Sequence, residues 1–327
     1  MRRVLATVCV LGALSLIGCS AKTPAASVTP ATAATAPPAA STSAPTATPT
    51  DTPALSPTPV ATTTAASRVR VTKLLVFVEE NHSLDQMKAQ MPYTFGLAQQ
   101  FGYATGFTAI RHPSEPNYIA ITGGQTHGIT NDDGPSNNSV SGPSVFGQAL
   151  AAGKTAALYA DGMPSNCATS DGGDHYAVKH NPWAFYTAER DACGRFDVPI
   201  DNLAAAIDGG TLPNVGMVIP NLCHDAHDCS LGTADSWFEE SMTSIMRGPD
   251  WKSGHLAVVL TADEDDRTSS NRVLTVVAHP SLHAKIVSTP LSHYSLSRLL
   301  SEVVGAPPLF EAAAAPSMST AFGLTLP

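Results

Sequence analysis

Cations are scarce in this chain: 18 Lys and Arg stand against 27 Asp and Glu, for a formal net charge of -9. With Arg2, Arg3, Lys22, Arg68 and Asp51 set aside, 14 basic residues face 26 acidic ones, a balance of -12. A surface so charged repels a polyanion, which argues against nucleic acid as a docking partner. A Gly-x-Ser-x-Gly segment is absent too, which argues against a serine hydrolase built on a nucleophile elbow. From Ser20 to Ser67 charges and aromatic residues are nearly missing, and Ala, Thr, Pro and Ser fill the stretch. Such a segment cannot bury enough apolar surface to offset its ordering entropy, so residues 19–68 read as a disordered, Pro-stiffened tether. Beyond it there is neither an internal repeat nor a second linker, and residues 69–327 suit one domain with a full core.

At the N-terminus, Arg2 and Arg3 precede an apolar run from Val4 to Ile17 that is too short to span a bilayer comfortably. Residues 1–18 therefore read as an export signal, and Leu16-Ile17-Gly18-Cys19 resembles a bacterial lipobox. On that reading Cys19 carries lipid and tethers the mature protein to the outer face of the cell membrane. The alternative is a plain secretory signal with a coincidental cysteine. Export makes disulfides the expected state of Cys167, Cys193, Cys223 and Cys229. Of three possible pairings, Cys223 with Cys229 and Cys167 with Cys193 is the most economical, since each closes a loop that already holds turn residues and histidines.

Several β-rich apolar runs end abruptly in polar residues: Val71–Val78, Ala156–Tyr159, Val215–Ile219, Leu256–Leu260 and Val273–Ala278 before His279. Runs apolar without alternation predict strands buried on both faces. Helices are expected between them at Pro116–Thr122, Ser144–Ala152, Leu203–Ile207, Asp235–Arg247 and Ser292–Val304. The alternation predicts an α/β fold, a mostly parallel central sheet sandwiched by helices, with ligands gathering beyond the carboxyl ends of the strands. Glu80, Asp225 and Asp263 all fall there.

Hard oxygen donors for a divalent cation are Glu80 and Asn81 after the first strand and Asp263 and Glu264 after a late one. Adjacent carboxylates at a sheet edge repel unless a cation sits between them. Asp265 and Asp266 read better as a solvated acidic loop. A histidine-rich group comprises His224-Asp225-Ala226-His227-Asp228 with His175, His180 and His293, and Asp225 with His227 could converge on a second cation or on an anion. His112-Pro113-Ser114-Glu115-Pro116-Asn117-Tyr118 sets a hydroxyl before a Pro-Asn pair able to open a helix. Ser114 is then expected among unpaired amides that would welcome an anion, although an ordinary helix-capping turn has the same spelling.

Glu80-Asn81-His82-Ser83, the His112–Tyr118 segment with Thr122-Gly123, Lys179-His180-Asn181-Pro182, Pro220–Asp228 and Asp263-Glu264-Asp265 occur in the order seen in the bacterial phosphoesterase family. The chain resembles that family, which contains acid phosphatases and phospholipases C and belongs to the alkaline phosphatase-like superfamily. Ser114-Glu115-Pro116-Asn117 with Thr122-Gly123 and His127-Gly128 is also similar to the nucleophile segment of nucleotide pyrophosphatases. The resemblance implies that Ser114 is a nucleophile forming a phosphoseryl intermediate and that Asn117 donates to a phosphate oxygen. It implies Glu80, Asn81, Asp263 and Glu264 as metal ligands beside Ser114, with His180, Asp225, His227 and His293 as phosphate or second-metal groups. Two-metal relatives commonly carry Asp-x-x-x-His where this chain has Asp225-x-His227, which leaves the number of metals open.

The expectation is thus a phosphoric ester hydrolase using a divalent metal cation, with a small phosphomonoester as substrate because the chain stops soon after its last core helix. A phospholipase C and a non-catalytic surface protein binding phosphate or a glycan are the alternatives.

Overall fold

The run Leu74-Leu75-Val76-Phe77-Val78 is 0–1% exposed along its length in the computed structural model, which describes residues 69–327. Burying each of these side chains contributes roughly 1.5–3 kcal/mol, so this strand is the axis of the fold. The expected signal peptide, the lipidated Cys19 and the tether lie outside the described residues.

Strands are β1 (Lys73–Glu79), β2 (Gly102–Ala104), β3 (Phe107–Thr108), β4 (Ala156–Ala160), β5 (Asp197–Pro199), β6 (Val215–Ile219), β7 (Leu256–Ala262), β8 (Thr275–Ala278), β9 (Lys285–Val287) and β10 (Leu291–Ser292). Eight of them form one sheet in the order β5-β4-β6-β1-β7-β8-β2-β9, and β3 pairs with β10 apart from it. From β5 to β7 every pairing is parallel; β8 alone of the eight runs against its neighbours. The expected mostly parallel sheet is present, with one correction. The Val273–Ala278 run is the reversed strand, so His279 emerges at the opposite end and bonds the carbonyl of Gly254 just before β7. An apolar run carries no sign of its direction, which is set by the partner it finds.

The helices are α1 (Leu84–Gln90), α2 (Pro92–Gln100), α3 (Glu115–Gly123), α4 (Val145–Ala151), α5 (Arg190–Phe196), α6 (Asp201–Asp208), α7 (Leu231–Arg247), α8 (Pro249–Lys252), α9 (His293–Glu302) and α10 (Met318–Phe322). Every residue of α3 is buried, consistent with its apolar Tyr118-Ile119-Ala120-Ile121 centre. It stops at Gly124, whose φ of 69° and whose closeness to the Leu309 carbonyl leave no room for a Cβ. Among the described residues no helix is long and apolar enough to cross a membrane. Cys167 is bonded to Cys193 and Cys223 to Cys229.

Candidate active site

Parallel pairing of β6, β1 and β7 sets their carboxyl ends side by side, and main-chain bonds then lock the outgoing loops together. The Glu80 amide donates to the Asp225 carbonyl at 2.8 Å, and the Asp263 amide donates to the Glu79 carbonyl at 2.9 Å. Glu80, Asp225 and Asp263 are each 0% exposed.

Ser114 opens α3 in helical conformation, and its side chain makes no cap. Its hydroxyl instead donates to Glu80 Oε2 at 3.0 Å and lies within reach of the Asp263 carboxylate. That removes the plain capping reading. Asn81, held at φ 55°, donates its amide to Asp263 Oδ1 at 3.0 Å and its Nδ2 to Glu80 Oε2 at 2.8 Å. Ser114, Glu80, Asn81 and Asp263 therefore meet. Glu264 sits one step away, its Oε1 2.9 Å from His112 Nδ1 and its Oε2 accepting from Asn117 at 3.2 Å.

His180 lies between two acids, Nε2 3.1 Å from Glu80 Oε1 and Nδ1 3.2 Å from Asp225 Oδ2. His227 is the outer neighbour, its ring 6.0 Å from that of His180 and its Nδ1 2.7 Å from Asp228. His293 reaches the centre through the main chain, with Nε2 at 2.6 Å from the Asp263 carbonyl, while Nδ1 has no partner. His224 turns away to Asp161 and stacks on Trp237, and His175 is exposed on a turn.

Burial, joined by the charges of Asp263 and Asp225, holds the Glu80 carboxyl well above its ordinary pKa. Burial raises Asp263 as well and pushes Asp225 up to about 7 and Glu264 up to about 9. The same desolvation lowers His180 to about 3 and His293 to about 4, so both rings are neutral near neutral pH. Asp263 Oδ2 and Asp225 Oδ2 are buried without a hydrogen-bond partner. Buried, unsatisfied oxygens on two carboxylates beside a third fit a hard divalent cation, which would relieve both the repulsion and the missing bonds.

Two expectations around α3 are corrected. Beyond the Ser114 amide itself, the amides of its first turn are not free: Glu115 donates to Asp132 Oδ1 at 2.9 Å, Pro116 has no N–H, and Asn117 donates to the Ser114 carbonyl at 2.8 Å. Asn117 is also spent. Its Oδ1 accepts from Ile110 and Arg111, and its Nδ2 donates to Arg111 O, Pro113 O and Glu264, so it braces the turn and leaves no amide proton for a phosphate. A third correction concerns Asp265, which is 1% exposed and accepts from the amides of Arg267, Ser269 and Asn271. It shapes a loop from within; Asp266 beside it is partly exposed.

Three side chains at the centre had no role in the sequence reading. Tyr118 donates to Glu80 Oε1 at 3.0 Å and stacks on His180, and its i+4 spacing from Ser114 is the signal that could have found it. His112 bridges Glu264 and Asp265. Lys179, next to His180, points its ammonium at Asp132 Oδ2 from 3.6 Å; nothing local marks either of these two.

A family model described as the Phosphoesterase family matches residues 77–306. The chain is 28% identical to the phosphatidylinositol-3-phosphatase of Mycobacterium tuberculosis (strain ATCC 25618 / H37Rv) over 268 residues, 81% of this chain and 87% of that protein. It is 30% identical to the phosphate-repressible acid phosphatase of Penicillium chrysogenum over 229 residues, 65% of this chain and 54% of that protein, and so spans about half of that relative. Its fold is similar to a solved protein of the alkaline phosphatase superfamily from Vibrio parahaemolyticus, with TM-score 0.53 and 11% identity over 73% of this chain and 67% of that one. A 2-O GAG sulfatase gives TM-score 0.53 and 11% identity over 77% of this chain and 74% of its own. With Glu80, Ser114, His180, Asp225, Asp263 and His293 all inside the matched span, this chain belongs to the phosphoesterase family and is a phosphoester hydrolase on an alkaline phosphatase-like fold.

Proposed function

We propose that the protein is a metal-dependent phosphomonoesterase that works through a phosphoseryl intermediate at Ser114. The observation that carries this reading is the contact of the Ser114 hydroxyl with Glu80 Oε2 at 3.0 Å, beside the unpartnered Asp263 Oδ2. Glu80, Asn81 and Asp263 would hold the cation against Ser114, with Glu264 and Asp225 within the same acidic field. When bound, a divalent ion lowers the pKa of a neighbouring hydroxyl and offsets charge on a phosphoryl group.

The chain's own residues supply the rest. Glu80 accepts the Ser114 hydroxyl's hydrogen bond and takes its proton as the bond to phosphorus forms, with Asp263 alongside; water returns a proton to the hydroxyl at the end of the cycle. Ser114 Oγ forms the bond to phosphorus while the bond to the leaving oxygen breaks, and the electron pair leaves with that oxygen, which takes a proton from water or from His227 on the open side. Water then attacks the phosphoseryl ester, releasing inorganic phosphate and restoring the hydroxyl.

Small phosphomonoesters are the proposed substrates, which accords with the acid phosphatase named among the relatives. A phosphoinositide monoester is the second reading, favoured by the mycobacterial phosphatidylinositol-3-phosphatase, of whose length the chain covers 87%. A lipid-anchored position on the outer face of the cell membrane, through Cys19, would bring such a headgroup within reach.

Ser114→Ala in the full chain tests the reading, with inorganic phosphate release from p-nitrophenyl phosphate as readout. The variant is expected to keep its melting temperature and lose turnover by at least about 10³-fold. Undiminished release would end the assignment.

A further inference from the structure

A phosphate ester entering this site brings negative charge into a ring of carboxylates, so the protein must answer it with donors of its own. Several of the usual suppliers are already committed. The first-turn amides of α3 are bonded to Asp132 Oδ1 and to the Ser114 carbonyl. Both protons of the Asn117 amide are engaged by Arg111 O, Pro113 O and Glu264. His180 lies between Glu80 and Asp225, 3.1 and 3.2 Å from their oxygens, with Nε2 unbonded.

Lys179 remains. It is the residue before His180, and its ammonium stands 3.6 Å from Asp132 Oδ2, whose other oxygen holds the Glu115 amide directly after Ser114. The separation exceeds a hydrogen bond, so the pair is an ion pair without a fixed geometry, on a side chain with four rotatable bonds. The Lys179 side chain is 22% exposed, so it is within reach of a solvent-borne ligand. Through Asp132 its charge stands next to the turn that carries Ser114.

We propose that Lys179 is the site's phosphate-binding cation and its selector for monoesters: Asp132 parks the ammonium beside the nucleophile turn, and an arriving phosphoryl group draws it onto a non-bridging oxygen. This rests on the phosphomonoesterase reading and deepens it. A monoester dianion offers Lys179 a charged oxygen that a diester has replaced by a second alkoxy group, so the contact favours monoesters over diesters and hence a phosphatase over a phospholipase C. Asp132 sets the strength of the parking, since the ammonium must leave it to reach the substrate.

The test uses the full chain, with Lys179→Met, Lys179→Arg and Asp132→Asn. Three measurements are made: kcat/KM on p-nitrophenyl phosphate and on bis(p-nitrophenyl) phosphate, affinity for inorganic phosphate by calorimetry, and bound metal. Lys179→Met is expected to lose about 10²-fold on the monoester, to change the diester less than about threefold, and to bind phosphate at least about tenfold more weakly at unchanged metal content. Lys179→Arg recovers part of the loss, because the charge is restored in a different shape. Asp132→Asn keeps an acceptor for the Glu115 amide but frees the ammonium, and tightens phosphate binding about two- to fivefold. Unchanged phosphate affinity in Lys179→Met, or equal losses on both esters, overturns the proposal. Either result is distinct from failure of the enzymatic reading, which shows as a Ser114→Ala variant that still turns over.

Discussion

Two sets of buried acids occupy this molecule, and their surroundings differ. Asp235 accepts from the amides of Tyr93 and Thr94, each at 2.8 Å; Asp250 takes the Lys73 ammonium at 2.6 Å and the Leu212 amide at 3.0 Å; Asp265 gathers three amides of its own loop. These carboxylates are satisfied by the chain. At the carboxyl ends of β1, β6 and β7, by contrast, Glu80, Asp225 and Asp263 press on one another and leave oxygens without partners. A satisfied buried acid joins elements together, whereas an unsatisfied cluster stores repulsion that a ligand can relieve. The second kind persists only because the sheet beneath it is deeply packed.

The sharpest way to break that contrast is to remove one acid of each kind. Asp263→Asn should cut kcat/KM by on the order of 10³-fold while the metal-free protein melts no lower, because a like charge has been removed from the cluster. Asp235→Ala should behave in reverse, losing about 3 kcal/mol as two buried amides are orphaned, with activity per folded molecule retained. Thermal melts and kinetics on both variants decide; a large stability loss in Asp263→Asn, or a dead but stable Asp235→Ala, would erase the distinction.

Next in size is a pH effect on the metal-free protein. Glu80, Asp263, Asp225 (about 7) and Glu264 (about 9) have raised pKa values in the fold. The folded state therefore holds more protons than the unfolded chain, and this stability is full at low pH and lost as pH rises through about 7 to 9. His180 (about 3) and His293 (about 4) are shifted down, so their contribution is lost as pH falls below about 6.5. With chelator present, the melting temperature should peak on the acid side of neutrality and fall toward pH 9. Excess divalent cation should raise it most at the alkaline end. Asp197, raised by burial to about 8 near the Cys167–Cys193 bridge, keeps a residual slope that no metal removes. A melting curve insensitive to chelator across this range would argue against a cation among these acids.

The smallest expected effect concerns the Cys223–Cys229 bridge, which closes the loop bearing His224, Asp225 and His227. Replacing both cysteines by alanine should lower stability by about 2 kcal/mol, and turnover should fall more than the loss of folded protein accounts for. The Cys167–Cys193 bridge closes a longer loop, so its double replacement should take about 3 kcal/mol while leaving turnover of the folded fraction nearer to normal. Equal effects on turnover would remove the distinction between a site loop and a scaffold loop.

Much of the site was legible from residue order, because a parallel core strand is a continuous apolar run and the first polar residues after it mark a carboxyl end. Glu80 after β1 and Asp263 after β7 were found in this way. Tyr118 is marked in the sequence only by its i+4 spacing from Ser114. Asp265 was misread for a physical reason: whether an acid is solvated or satisfied depends on three amides at positions 267, 269 and 271, brought round by left-handed backbone at Arg267, Ser270 and Asn271. Asn117 was placed in the right segment, but its partners come from Ile110 to Pro113 and from Glu264, and no local pattern announces them.

Residue order thus dictated the hydrophobic strands, the end of the sheet at which acids collect, the hydroxyl in front of a buried helix and the likeness to phosphoesterases, because each is written in contiguous residues. Packing decided the direction of β8, the occupation of the α3 amides, the wedging of His180 between Glu80 and Asp225, and the approach of Lys179 to the nucleophile turn. Those outcomes depend on which distant groups fill each other's hydrogen-bonding capacity once water is excluded, and that competition exists only in the folded chain.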